Sequence, residues 1–187
     1  MTRALGYLID HPEAAIARTD RRNWDMKLLV PTAVPVPDLL DLDLGPELDQ
    51  DGVGACVYAT AVEIKMEDEH DPNEAGKYLY DTPSMFVGYH QFKNGYGSWP
   101  GDGIDSEGSI PLYVWQFAKL EGLPDKAGKR HKITAYYQLQ GEPGSPAWID
   151  TRIQVLLQYG PVSVCSGWPA NWWACPPTGL LPPPGGT

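Results

Sequence analysis

One stretch near the end of the first third of the chain most constrains how it can fold. Residues 48–66 read LDQDGVGACVYATAVEIKM, in which a glycine-punctuated loop leads into a helical pattern that opens at Cys56. Val57, Ala61 and Ile64 recur at helical spacing and predict an apolar face. At a helix N-terminus, the backbone N–H groups and the positive end of the helix dipole favour a thiolate over a thiol. The sequence therefore predicts a reactive cysteine at the start of a central helix.

A possible partner of this thiol lies six residues earlier. The side-chain amide of Gln50 can donate a hydrogen bond to an oxygen held near the Cys56 sulfur, so the pair combines a nucleophile with an oxyanion donor. The alternative is that Cys56 is a small buried apolar residue, because free cysteines are among the most buried residue types.

The spacing of these two residues carries a family resemblance. Gln50, five intervening residues and Cys56 opening a helix of small and aromatic residues resemble the active-site signature of papain-like cysteine peptidases, especially the bacterial and phage branch without a proregion. Val57 stands where that family usually has tryptophan. The resemblance implies an α+β papain-like fold, with a helical left lobe and a right-hand β lobe. It also implies an oxyanion hole made by Gln50 and the backbone N–H of Cys56.

A second match is a glycine loop further along the chain. Gly101 and Gly103 occupy the place where the resembled family has a glycine loop that borders the substrate groove. Glycine lets a substrate backbone approach closely and pair in a strand-like manner. We therefore take both as candidate substrate-binding residues, with a plain turn as the alternative.

Residue patterns in the rest of the chain predict two further helices, each followed by a strand. A helix is predicted from Ile110 to Glu121, with Ser109 as its cap, Pro111 in its first turn and Gly122 at its end. HKITAYYQL, residues 131–139, is predicted to form a strand by its β-branched and aromatic content.

The last predicted unit resembles the helix that leads into a G-P-V strand in the papain-like family. Ser145 and Pro146 start this helix and Gly160 ends it, before the predicted strand PVSVC at 161–165. Its expected apolar face consists of Ile149, Ile153 and Leu156.

These elements give a predicted domain organisation. Residues 1–45 form an extended arm, and residues 46–187 form the papain-like domain. Within that domain, residues 46–125 are the helical lobe with the nucleophile helix, and residues 126–187 are a partial β lobe.

The resemblance also implies that the catalytic pair is incomplete. In the family a histidine follows the G-P-V strand by some tens of residues and an asparagine follows later, so both are expected outside residues 1–187. His11, His70, His90 and His131 lie away from that position. We therefore expect this chain alone to be inactive, and its partial β lobe either to be covered by its own tail and arm or to pair with another chain.

Charge and composition exclude several other classes. The formal net charge of -10 argues against a nucleic-acid partner, and no apolar run is long enough to suggest a membrane span. No spacing indicates a metal or cofactor site. Cys165 and Cys175 can pair but need not. Because the first residues lack a signal-peptide pattern, synthesis and residence in the cytoplasm are expected, with association with a virion also open.

The leading functional prediction is thiol-dependent hydrolysis of a peptide or protein substrate, with Cys56 as nucleophile and Gln50 as oxyanion donor. The alternative is a non-catalytic papain-like structural or binding component, for example of a phage virion. In that case the groove binds a partner segment without cutting it.

Overall fold

A computed structural model describes residues 24–25, 34–38, 45–69, 78–138 and 145–163. In this part of the chain the helices are α1 (Cys56–Asp68), α2 (Thr82–Asn94), α3 (Pro111–Leu120) and α4 (Pro146–Tyr159). The strands are β1 (Trp24–Asp25), β2 (Leu123–Pro124), β3 (Arg130–His131) and β4 (Tyr137–Gln138). The described residues therefore have a mixed α and β architecture, dominated by helices. None of the helices in these segments has the length and apolar character needed to cross a membrane.

Helix α1 is the centre of the described core, as its sequence predicts. It begins at Cys56 and packs against both α2 and α3. Tyr58, Ala61 and Val62 are fully buried, and Ile64 is half-buried. Because α1 is covered on several sides, its position fixes the cysteine at its N-terminus relative to both neighbouring helices.

Helix α2 begins in a capping box. The Asp81 carboxylate accepts the Ser84 N–H at 2.9 Å, and the Ser84 hydroxyl accepts the Asp81 N–H at 3.0 Å. Further along, Phe92 stacks on Trp99, whose indole N–H donates to the Phe92 carbonyl at 2.9 Å. This aromatic contact joins the end of α2 to the loop that follows it.

Helix α3 differs from its prediction at the start. The predicted cap, Ser109, does not cap the helix; Ile110 is the N-cap residue and Pro111 is the first helical residue. Proline favours extended backbone in the residue before it, and an N-cap needs that conformation, so Pro111 fixes the cap at Ile110. The predicted end is confirmed, because the Gly122 N–H bonds back to the Phe117 carbonyl at 3.2 Å.

The strands are shorter than predicted. β2 and β3 pair antiparallel, with Leu123 opposite His131, and β1 pairs parallel with β4. Between β3 and β4 the predicted strand of residues 131–139 is interrupted, because the Ile133 N–H donates to the Ala118 carbonyl of α3 at 3.2 Å. That bond to a helix replaces a strand partner.

Helix α4 has the predicted ends but a different buried face. Ser145 caps it by accepting the Trp148 N–H at 3.2 Å, and the helix ends at Gly160. Ile149 is 45% exposed, whereas Val155 is buried, so the predicted apolar face is wrong at Ile149.

The chain segment near Val34 orients this helix. The side chain of Gln154 accepts the Val34 N–H at 2.6 Å and donates to the Val34 carbonyl at 3.0 Å. This two-way bond lies one residue before Val155 and gives a reason why that side of α4 is the covered one.

Some predictions fall outside the described residues. Residues 161–163 do not pair as a strand, and the rest of the predicted PVSVC strand, with Cys165 and Cys175, lies beyond the described part. Most of the 1–45 arm also lies outside it. The domain boundaries at 45/46 and 125/126 stay predictions.

Gly88 of α2 gives a test of the α1–α2 contact. A Cβ atom at this position would lie 2.9 Å from both Pro124 Cδ and Tyr58 Cζ, and closer still to the Tyr58 hydroxyl. We expect Gly88→Ala to lower the free energy of unfolding by about 1–3 kcal/mol through overpacking, although alanine is the better helix former. Val87→Ala, at a neighbouring position that is 52% exposed, should change it by less than about 0.5 kcal/mol. Urea unfolding curves in which both variants match the wild type would contradict this packing.

Candidate active site

The loop before Cys56 is shaped by two local turns. The Val53 N–H donates to the Gln50 carbonyl at 2.8 Å, and the two residues between them have positive φ angles of 45° and 76°, as in a type I′ turn. The Ala55 N–H then donates to the Val53 carbonyl at 2.7 Å. These turns place Cys56, which is half-buried, as the first residue of α1.

The start of α1 has no capping side chain. Its N-cap residue is Ala55, which has no oxygen to offer to the first-turn N–H groups, and no acidic residue lies in the first turn. Most helices place Ser, Thr, Asp or Asn at this position, and replacing such a cap by alanine costs about 1 kcal/mol. Helix α1 itself therefore supplies no side chain that would neutralise the positive dipole end at Cys56.

A second loop lies directly on the loop before Cys56. The Gly54 N–H donates to the Glu107 carboxylate at 3.3 Å. A Cβ atom on Gly54 would lie 3.0 Å from the Gly108 nitrogen and 3.1 Å from the Glu107 Cβ. Only glycine allows this approach without displacement, so residues 107–108 form a wall against the loop that carries Cys56.

The Tyr89 side chain connects these two loops through hydrogen bonds. Its hydroxyl donates to the Gly54 carbonyl at 3.4 Å and accepts the Gly108 N–H at 3.3 Å. The residue is buried, with 3% of its surface exposed. One hydroxyl thus bridges the loop that carries the thiol and the loop that forms its wall.

The Tyr89 hydroxyl is neutral in this position. Burial raises its pKa, although the bond from the Gly108 N–H acts in the opposite direction, and electrostatic interactions with the nearby Asp102 and Glu107 raise it further. A neutral hydroxyl can donate and accept at the same time, as the bridge requires.

Lys93 lies one helical turn after Tyr89 and holds the same wall. Its ammonium group donates to the Asp102 carboxylate at 2.9 Å and to the carbonyls of Ile104, Ser106 and Gly108 at 3.0, 3.0 and 3.1 Å. The side chains of Lys93 and Asp102 are 13% and 0% exposed. A single buried charge therefore fixes the path of residues 102–108.

The predicted substrate-binding glycines flank Asp102 in this loop. Gly101 has a φ of 91°, and a Cβ atom there would lie 2.7 Å from the Lys93 carbonyl. Gly103 is exposed with open space around its Cα. Gly101 must therefore be glycine for packing reasons. The substrate-binding role of Gly101 and Gly103 stays a prediction. The oxyanion role of Gln50 stays a prediction as well.

His131 lies at the opposite end of α1. Its two ring nitrogens lie 3.0 Å from a Glu69 carboxylate oxygen and 2.9 Å from an Asp125 oxygen, and Lys65 and Tyr80 also bond to Glu69. Since Glu69 follows the nucleophile by thirteen positions, this cluster lies about 20 Å along the helix axis from the thiol. His131 is thus held away from the candidate nucleophile.

The residues around His131 stabilise the charged form of Asp125. Burial opposes the charged carboxylate, but hydrogen bonds from His131 and from the N–H groups of Lys129 and Ala127 outweigh it and hold the pKa of Asp125 below its ordinary value. These contacts order the turn between β2 and β3, so they account for His131 in structural terms.

The other described histidine, His90, is an exposed residue of α2 that stacks on Phe86. His11 and His70 lie outside the described residues. Within the described ranges, no group of three or more His, Cys, Asp or Glu side chains is arranged to hold a metal ion. Comparisons of the chain with protein-family models, curated proteins and solved structures gave no match.

Sequence reasoning missed Tyr89, Lys93, Glu107 and Gly108. The first two share one face of α2 at a spacing of four, which is a visible signal for two side chains that act together. Their partners, however, lie in loops that are 9 to 35 positions away along the chain, and local patterns do not identify such contacts.

Replacing Lys93 tests whether this wall depends on one buried charge. We expect Lys93→Met to lower the free energy of unfolding by about 3–5 kcal/mol, because Asp102 is left buried without its cation and three carbonyls lose a donor. Lys126→Met at an exposed position is the matched control, with a change below about 0.5 kcal/mol. Equal unfolding midpoints for these two variants would show that the ion pair does not hold the loop.

Proposed function

We propose that this chain provides the nucleophile half of a thiol-dependent peptidase of papain-like fold. The observation that carries the proposal is the position of Cys56, as the first residue of an α1 helix whose N-cap is alanine. A thiol at an uncapped helix N-terminus experiences the positive end of the dipole, which favours the nucleophilic thiolate.

The proposed chemistry is acyl transfer at a peptide bond. The Cys56 thiolate attacks the substrate carbonyl carbon and forms a tetrahedral intermediate, which collapses to a thioester when the amine leaves with a proton. The negative oxygen of the intermediate is stabilised by the backbone N–H of Cys56 and the side-chain amide of Gln50. Water then hydrolyses the thioester through a second such intermediate.

Residues 101–108 are the proposed substrate wall. Lys93 and Tyr89 fix this loop against Gly54, two residues before the nucleophile. Gly103 is exposed and has room for an extended peptide to approach its backbone. We assign substrate-backbone binding to this loop through Gly101 and Gly103.

The general acid–base imidazole of the proposed reaction comes from outside the described segments. His131 is held between two carboxylates at the far end of α1, and His90 is exposed against Phe86. A thiolate without such a partner has no group to protonate the leaving amine. The peptidase assay therefore requires a form of the protein that includes this imidazole.

The second candidate is a non-catalytic binding component of papain-like fold, for example in a phage virion. The engagement of His131 by two carboxylates at the far end of α1 favours it. In this case the same wall holds an extended partner segment, and the thiol has no catalytic role.

Turnover of a fluorogenic peptide library by the purified protein, alone and together with an added segment or partner chain that supplies the imidazole, tests the proposed peptidase. Gln50→Ala should lower kcat by roughly 10²-fold or more while leaving the unfolding midpoint unchanged, on the scale of losing one oxyanion-hole donor. Cys56→Ala should abolish turnover.

The matched control is Gln116→Ala on α3, which should keep wild-type kcat because the change lies outside the proposed oxyanion hole. Turnover that survives in Cys56→Ala would contradict the proposed nucleophile. An unchanged kcat in Gln50→Ala would remove Gln50 from the mechanism, and binding of peptides without any turnover would favour the second candidate.

A further inference from the structure

Glu107 places a carboxylate at the edge of the proposed groove. Its Oε2 atom lies 3.3 Å from the Gly54 nitrogen, and the residue is exposed to solvent. Gly54 precedes Cys56 by two residues, so their Cα atoms are at most about 7.6 Å apart. The carboxylate oxygen therefore lies at most about 12 Å from the Cys56 Cα atom, which is well within the Debye length of about 30 Å at 0.01 M ionic strength.

The two segments that meet at this point are uniformly acidic. Residues 45–58 and 101–110 contain no Lys, Arg or His, and their acidic residues are Glu47, Asp49, Asp51, Asp102, Asp105 and Glu107. The cation that α2 brings here, Lys93, is bonded to the buried Asp102 and to three carbonyls. Among the described residues, Glu107 is exposed and forms no ion pair, so no cationic side chain offsets its charge.

The hydrogen bond from Gly54 gives this charge a fixed position. A carboxylate has about four acceptor sites on its two oxygens, and the Gly54 N–H uses one of them. The remaining sites can accept from an ammonium or a guanidinium group, and such charge-assisted bonds are the strong ones. The same carboxylate repels an acidic side chain brought to this position.

We propose that Glu107 is a specificity-determining residue that selects peptide segments with a lysine or arginine side chain next to the reacting bond. This inference rests on the proposed function of Cys56, because it assigns the substrate class of that site. It adds a side-chain preference to a wall that otherwise contacts only the substrate backbone.

The charge preference is measured on Cys56 itself, with three small methanethiosulfonate reagents of different charge. Each transfers its sulfenyl group to the thiolate as a mixed disulfide and releases methanesulfinate. The trimethylammonium-ethyl reagent is cationic, the sulfonatoethyl reagent is anionic and the methyl reagent is neutral. Mass-spectrometric peptide mapping gives the rate constant at Cys56 for each of them, in the protein as it exists and without a substrate.

We expect the wild type to prefer the cationic reagent over the anionic one, after correction for their rates with a free thiol. Glu107→Gln keeps an oxygen that accepts the Gly54 N–H but removes the charge. It should lower the cationic-to-anionic ratio by about three- to five-fold at low ionic strength, because a unit charge at about 8–12 Å in water changes each rate by about two-fold in opposite directions. Glu107→Lys should invert the preference, and added salt should shrink the wild-type ratio.

Glu67→Gln is the matched control, since it removes one charge from α1 about 16 Å along the helix axis from Cys56. An equal fall of the ratio in Glu67→Gln and Glu107→Gln would overturn the inference in favour of a net-charge effect. Suppose that neither Glu107→Gln nor Glu107→Lys changes the ratio, and that both variants react with the neutral reagent at the wild-type rate. That result would overturn the inference about Glu107 and leave the proposed function standing. A Cys56 that reacts with none of the three reagents would overturn the proposed function as well.

Discussion

The buried ammonium of Lys93 is the interaction on which the rest of the candidate site depends. A lysine that is 13% exposed must satisfy its charge inside the protein, and here it does so with the fully buried Asp102 and three backbone carbonyls. These acceptors span residues 102 to 108. Because the ammonium has three protons for four oxygens, at least one bond is shared, and the loop has little freedom to take another path.

Hydrogen bonds to this loop connect Lys93 on α2 to the N-terminal end of α1. Gly108 bonds to both Lys93 and Tyr89, and the Tyr89 hydroxyl continues to the Gly54 carbonyl. The wall beside Cys56 is thus built by hydrogen bonds to backbone groups, with glycine at the points of closest approach. Such an arrangement is rigid where the proposed reaction needs a fixed nucleophile, and it leaves the outer edge, with Glu107 and Gly103, accessible from solvent.

The features that the sequence predicts correctly are local ones. The start of α1 at Cys56, the Ser145 cap and the helix ends at Gly122 and Gly160 follow from residues within one turn of the feature itself. The errors arise where a distant group competes. The Ile133 N–H bonds to the Ala118 carbonyl of α3, where a strand is predicted. Helix α4 buries Val155 rather than Ile149, because its Gln154 bonds to the backbone of Val34. The wrong prediction of Ser109 as a helix cap has a local cause, since Pro111 places the N-cap at Ile110. The α+β class was predictable, whereas the papain-like fold and the peptidase activity remain proposals.

Relative cysteine reactivity tests the central claim most directly, namely that Cys56 is an accessible and activated thiol at the start of α1. The native protein is treated with iodoacetamide at pH 7, and the alkylation rates of Cys56, Cys165 and Cys175 are determined by mass-spectrometric peptide mapping. The account predicts that Cys56 is alkylated faster than either of the other two, because thiolate fraction and access control the rate. Alkylation of Cys56 at the same rate as the others, or more slowly, would contradict it.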